Sequence, residues 1–228
     1  MTTHPDLPDG SSAGLHDLSR WIGTWLFWPM FRLHRHAMER VPAEGPVVLV
    51  ANHSAFIDGP LLFGLIGRRS VFLIKQELFS GVMGWYLPRI GQLSVRRGEP
   101  DRAPLIAAQR VLRGGGLVGV FPEGTRGSGD ATSARNGAAW LARSTGAVVL
   151  PVACRGTHRP DGSGWRFRPR VDLLVGHPFM VNDQRGRAGL AAATEQIRFT
   201  LADLVAELDR LRDGVGPGAP GRLDEQHR

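Results

Sequence analysis

The residues best suited to chemistry lie in Asn52–Asp58, which reads Asn-His-Ser-Ala-Phe-Ile-Asp. His53 carries the side chain whose unperturbed pKa lets it take up and return a proton near neutrality. Asp58 stands five positions later, too far to stack on it along one straight helix. A loop that turns into a helix near Asp58 would bring the two together. The carboxylate would then fix the imidazole tautomer and favour its protonated form, making His53 a better base. The same spacing suits a helix-capping Asp58 beside an incidental histidine. Spacing alone leaves both readings open.

The elements around this stretch follow an alternating pattern. Pro46–Ala51 is an apolar run with strand character, and a polar cluster after a buried strand is where α/β folds place their chemistry. Asp58–Ile66 reads as a helix with Pro60 in its first turn. Strands are expected at 71–74, 90–95, 117–121, 147–153 and 171–175. Helices are expected over 75–87, from an Asp101 cap to Arg113, and over 137–144. Met38–Gly45 is a polar connection and Gly127–Ser133 a loop. Leu190, Ile197, Leu201, Leu204, Leu208 and Leu211 fall at helical steps, predicting a long amphipathic helix docked on the domain. Strands alternating with helices predict an α/β fold, a mixed sheet covered by helices.

At 228 residues and 42% hydrophobic content, one domain with short appendages is expected. The charge is 28 basic against 21 acidic residues, or +7, and Lys75 is the only lysine. A positive surface fits an anionic partner: anionic lipid, a phosphorylated substrate or nucleic acid. No aromatic-rich nucleic-acid motif accompanies the arginines, so no nucleic-acid partner is expected. Cys154 is the single cysteine. It permits no internal disulfide, is compatible with a reducing compartment, and sits in an apolar run as a buried thiol.

Residues 1–14 are rich in Pro, Asp, Ser and Gly, lack the pattern of a secretory leader, and are expected to be disordered. Residues 15–40 are expected to form an N-terminal helical segment at a membrane interface. Within it, Trp21–Phe31 gathers three of the six tryptophans between Arg20 and Arg32. It is too short to span a bilayer, which needs about 20 apolar residues. It suits a helix lying in the interface plane and kinked at Pro29, and equally a helix packed on the protein's own core. Residues 41–212 make the main domain, and residues 213–228 a flexible tail.

Three polar sequences follow strand-like runs: Asn52–Asp58, Arg96–Gly98 and Phe121–Arg126. Together they resemble the glycerolipid acyltransferase family, bacterial 1-acylglycerol-3-phosphate acyltransferases most closely. The family's first motif is Asn-His and four residues to Asp, met by Asn52, His53 and Asp58. Gly91 with Arg97-Gly98 looks like the second. Phe121–Arg126 (Phe-Pro-Glu-Gly-Thr-Arg) matches the third at every position, and 148–153 around Pro151 resembles the fourth. Two positions depart from the pattern: Arg96 stands where an acidic residue is often found, and Arg135 replaces a common lysine.

The resemblance implies a glycerol-phosphate acyltransferase-like fold and transfer of a fatty acyl group from acyl-CoA or acyl carrier protein. The implied acceptor is the sn-2 hydroxyl of lysophosphatidate, giving phosphatidate. It implies His53 and Asp58 as the catalytic pair, and Arg97, Glu123 and Gly124, with Thr125 and Arg126 nearby, for acceptor binding. Residue chemistry agrees. A hydroxyl needs a base during attack, and a guanidinium or glycine-rich backbone suits a phosphate. Glu123 fits a glycerol hydroxyl or an arginine better than a phosphate. No metal, nucleotide or redox cofactor is implied. The expected location is the cytoplasmic face of the cell membrane, peripheral or monotopic. Other acceptors for the same chemistry are another lysophospholipid, glycerol 3-phosphate or a glycolipid. A covalent acyl-Ser54 route, a non-catalytic module binding anionic lipid and a metal hydrolase are the competing readings.

Overall fold

The computed structural model describes residues 4–96, 102–122, 136–158, 167–182 and 184–214. Its centre is a seven-stranded sheet in the order β1-β7-β6-β2-β5-β3-β4. The strands are β1 (Arg32–His36), β2 (Val47–Ala51), β3 (Ser70–Lys75), β4 (Leu93–Val95), β5 (Leu117–Val120), β6 (Val148–Arg155) and β7 (Arg170–Val175). β2 to β6 run parallel. β7 is antiparallel to β6, and β1 follows β7's direction. The sheet is therefore mixed, as the sequence predicts.

β2 is buried along its whole length, which explains why its sequence is apolar without alternation. Val48 and Val50 face one core cluster, with Val118, Val149, Ala108, Leu112, Leu141 and Ile197. Val47, Leu49 and Ala51 face the other, with Leu117, Leu150, Leu61, Leu62 and Phe27. Helices α4 (Ala103–Arg113), α5 (Gly137–Thr145) and the first half of α6 (Gly186–Arg212) supply the first layer. Helices α1 (Ala13–Met30) and α2 (Asp58–Leu65) supply the second. α3 (Gly81–Arg89) carries no buried residue.

Pro151 lies inside β6, where a missing N–H would ordinarily interrupt a ladder. Its open side faces Gly176, just past the end of β7. Gly176 N donates to Pro151 O at 2.9 Å, and the reciprocal bond that Pro151 cannot give falls just past the last β6–β7 pair, Val152–Val175.

Three expectations are corrected. Residues 4–14 are packed: Leu7 is buried in the core, Asp6 pairs with Arg69, and Ser12 caps α1. One buried leucine and one ion pair give this proline-rich stretch a partner that its composition does not advertise. The segment 15–40 is not wholly helical, because Arg32–His36 forms β1 and joins the main sheet. It is an edge strand with a mostly polar sequence, so no apolar alternation marks it. The helix expected from Lys75 begins only at Gly81. β3 runs through Lys75, and a short 3-10 turn at Gln76–Leu78 intervenes. The final residues 215–228 lie outside the described residues.

β1, β7 and α6 are tied by Asp172, which is fully buried. Arg170 and Arg212 each reach its carboxylate at 2.9 Å, and His36 Nε2 stands 3.5 Å from it. Arg155 holds Asp209 of α6 through two bonds of 2.8 Å.

Candidate active site

β2, β3, β4, β5 and β6 point their carboxyl ends to one edge of the sheet. β2 lies between β5 and β6, where successive connections leave in opposite directions, and such a point opens a crevice. Asn52 follows β2 there with its side chain buried. Its Nδ2 donates to Cys154 O at 2.9 Å, and its Oδ1 accepts from Cys154 N at 2.7 Å. The β2–β6 register ends at Ala51 opposite Val152. The Asn52 amide thus continues the ladder past the last backbone pair and fixes where the next loop starts.

That loop closes on the first residue of α2. His53 Nδ1 lies 3.2 Å from Asp58 Oδ2, and the same oxygen accepts from Ser54 N and Ala55 N at 2.8 Å each. The expected loop-to-helix turn is what brings imidazole and carboxylate together. Asp58 is fully buried. Burial works to raise its pKa. Hydrogen bonds from His53, the Ala55 amide, the Thr157 side chain and the Ser54 amide outweigh this and hold it below the usual carboxylate value. A carboxylate facing Nδ1 favours the tautomer protonated there, which leaves Nε2 as a proton acceptor.

Three contacts around the pair have no signal in the local sequence. The Phe121 ring, at the end of β5, stacks on the His53 imidazole with centroids 4.2 Å apart and planes 25° from parallel. Phe72 stands behind Phe121 at 6.0 Å. From β6, Cys154 Sγ approaches Asp58 Oδ1 at 3.8 Å. Burial first, then the Asp58 charge, pushes the Cys154 thiol well above its ordinary pKa, so it remains S–H and donates. Ser54 Oγ lies 3.2 Å from Thr157 Oγ1.

The residues expected to bind an acceptor, Arg97, Glu123, Gly124, Thr125 and Arg126, lie outside the described residues, as does Arg135. The strands that lead into them are described. β4 ends at Val95 and β5 at Val120, both on the edge that carries His53. Lys75 ends β3 on the same edge. Among the described residues no three His, Cys, Asp or Glu side chains gather as a metal group.

α1 has two faces. His16, Ser19 and Phe27 are buried beneath it. Thr24 Oγ1 donates to Gly64 O of α2 at 2.7 Å. A Cβ on Gly64 would stand 3.2 Å from the backbone of Gly23 and Thr24, so the two helices cross where neither carries a side chain. On the opposite face Leu18, Trp21, Ile22, Trp25, Leu26 and Trp28 are exposed, Trp21 and Trp25 each by 61%. One side of α1 is therefore packed on the protein's own core, and the other is an uncovered apolar stripe. Among the described residues no helix is long and apolar enough to cross a membrane.

Residues 32–155 match the family model described as Acyltransferase. The chain is 30% identical over 179 residues to the 1-acyl-sn-glycerol-3-phosphate acyltransferase of Bacillus subtilis, spanning 76% of this chain and 88% of that one. It is 35% identical over 157 residues to the lyso-ornithine lipid O-acyltransferase of Pseudomonas aeruginosa, spanning 64% of this chain and 59% of that one. The crystal structure of the 1-acyl-sn-glycerophosphate acyltransferase from Thermotoga maritima aligns with a TM-score of 0.68 at 26% identity. It covers 86% of this chain and 79% of that one.

Proposed function

The chain belongs to the acyltransferase family, and we propose that it acylates the sn-2 hydroxyl of lysophosphatidate from an acyl thioester. The product would be phosphatidate, and the donor acyl-CoA or acyl carrier protein. The observation that carries this reading is the contact of His53 Nδ1 with a buried, ionised Asp58.

In the proposed reaction the acceptor hydroxyl oxygen attacks the thioester carbonyl carbon while Nε2 of His53 takes its proton. Asp58 stabilises the imidazolium that forms. Collapse of the tetrahedral adduct expels the thiolate, and the imidazolium returns the proton to that sulfur. The substrate hydroxyl takes the place a serine would hold in a triad, and no metal, nucleotide or redox cofactor enters. Arg97, Glu123, Gly124, Thr125 and Arg126 are proposed to hold the acceptor. The support is their motif match and the ends of β4 and β5 beside His53. The relatives named for lysophosphatidate support the acceptor assignment. The relative named for a lyso-ornithine lipid supports a second reading, the same transfer to another lysolipid. A module that only bound anionic lipid would have no use for the His53–Asp58 pair.

We place the protein on the cytoplasmic face of the cell membrane, resting on it through α1. The exposed tryptophan face of α1 supports this, since tryptophan favours the interface.

The test is thiol release from acyl-CoA and from acyl carrier protein, with lysophosphatidate, lyso-ornithine lipid and glycerol 3-phosphate offered in turn. Release only with acceptor present identifies a transferase. His53→Ala should lower kcat by about 10³-fold or more while lysolipid binding survives. Wild-type turnover in that variant would refute the base assignment.

A further inference from the structure

α3 is a helix without a buried side. None of its residues is buried, and its outward surface is apolar: Val82 is 77% exposed, Met83 46% and Trp85 56%. A short helix ordinarily holds its place by burying one face. α3 is held by polar ties to α1 instead. Tyr86 Oη donates to Ser19 Oγ at 2.7 Å, and Ser12 N donates to Arg89 O at 2.8 Å. Just past the helix, Ile90 O meets His16 Nδ1 at 2.7 Å. α3 therefore stands fixed beside the helix that carries the exposed tryptophans. It follows the end of β3, on the edge that bears His53.

Val82, Trp85 and Arg89 succeed one another at steps of three and four, so they share one stripe of the helix. The Arg89 guanidinium lies 4.4 Å above the Trp85 ring, and its Nη1 donates to Trp85 O at 2.7 Å. A guanidinium has five donors to give, and α3 holds no acidic side chain to take the others. An indole and a cation at one height suit a lipid surface: the ring prefers the interface and the guanidinium its anionic headgroups. A two-fold contact with a second copy through this stripe would bring like charges together, with no carboxylate on α3 to offset them.

We infer that α3 is a second membrane contact, in which Val82 and Trp85 enter the interface of an anionic bilayer and Arg89 pairs with its headgroups. The inference rests on the reading of α1 as the helix that lies on the membrane. A single helix at an interface can roll about its own axis. Two helices tied together cannot, so α3 fixes the tilt of the domain and turns the His53 edge toward the lipid.

The experiment uses the full chain and vesicles of phosphatidylcholine with and without phosphatidylglycerol. Val82→Cys, labelled with an environment-sensitive dye, reads α3 directly, because the native Cys154 is fully buried and the label goes to position 82. Its emission should shift to the blue on vesicles containing phosphatidylglycerol and be quenched by lipids spin-labelled near the headgroup. Trp85→Ala should weaken vesicle partitioning by about tenfold. Arg89→Gln should weaken it by about fivefold on the anionic vesicles and leave the neutral ones unchanged. A label that stays in water while the vesicles are bound overturns the proposal and leaves the reading of α1 intact. A blue shift that grows with protein concentration in the absence of lipid assigns the stripe to a second copy and also overturns it. If the label enters the bilayer while the double variant Trp21→Ala with Trp25→Ala binds as wild type does, the reading of α1 falls and α3 stands.

Discussion

The Phe121 ring lies face to face with the His53 imidazole, 4.2 Å between centroids, at the junction of two motifs about seventy residues apart in the chain. The stack leaves the imidazole few orientations other than the one facing Asp58. Side chains held by packing reach productive geometry without paying ordering entropy at each turnover. Phe121→Leu should therefore lower kcat by roughly tenfold through looser placement of the base. It should cost only about 1 kcal/mol of stability, because the ring is half-buried and the swap keeps an apolar side chain. Thermal melts and steady-state rates on the same preparation separate the two effects.

Asp58→Asn leaves the size of the side chain unchanged and removes its charge. The amide can offer its NH₂ to Nδ1, which selects the tautomer protonated on Nε2 and removes the base. Turnover should fall on the order of 10⁴-fold. The stability contribution of Asp58 has a definite sign. Its folded pKa is depressed below the ordinary 3.8, so the contribution is present above that pH and is lost as the pH falls through the folded value. An acid-unfolding profile of Asp58→Asn should lack that component.

His16 is fully buried, with Nδ1 2.7 Å from Ile90 O and Nε2 accepting from Ser70 N at 3.3 Å. Burial, above all, lowers its pKa below 6.5. The unfolded chain therefore takes up this proton at higher pH than the folded one. Stability is complete above about pH 6.5 and falls as the pH drops from there toward the folded pKa. The melting midpoint should decrease between about pH 7.5 and about pH 5.5, and His16→Gln should flatten that decrease. An equal slope in the variant would assign the acid sensitivity to another group.

Trp21 and Trp25 project from α1 with most of their surface in solvent. Replacing both with alanine should change folding stability by less than about 0.5 kcal/mol, as at other exposed positions. Co-sedimentation with vesicles containing anionic lipid should drop by at least tenfold, since each ring withdraws apolar area worth roughly 1–2 kcal/mol at the interface. Undiminished binding would reject α1 as the contact.

Much of this was legible in the residues. β2 could be read because burial on both faces leaves an unbroken apolar run, and the long spacing of Leu190 to Leu211 could be read as one helix. The His53–Asp58 pair was legible as a spacing that only a loop-to-helix turn could close. β1 was not, because Arg32, His34 and His36 show no apolar alternation and the strand exists through its pairing with β7. The places of Cys154, Thr157 and Phe121 were hidden for a different reason. Their contacts with Asp58, Ser54 and His53 join segments 68 to 103 positions apart, and local pattern carries no information about such contacts. Leu7 and Asp6 escaped notice because two anchors suffice to hold a stretch whose composition otherwise favours disorder.

The crossing at Gly23 and Gly64 gives α1 and α2 almost no slack against each other. Gly64 stands six residues beyond Asp58 on the same helix, about 9 Å of rise. The carboxylate beside the imidazole is thus carried at a fixed distance from the exposed tryptophan face of α1. A bulkier side chain at position 64 would push α2 away from α1 and shift Asp58 relative to the apolar stripe.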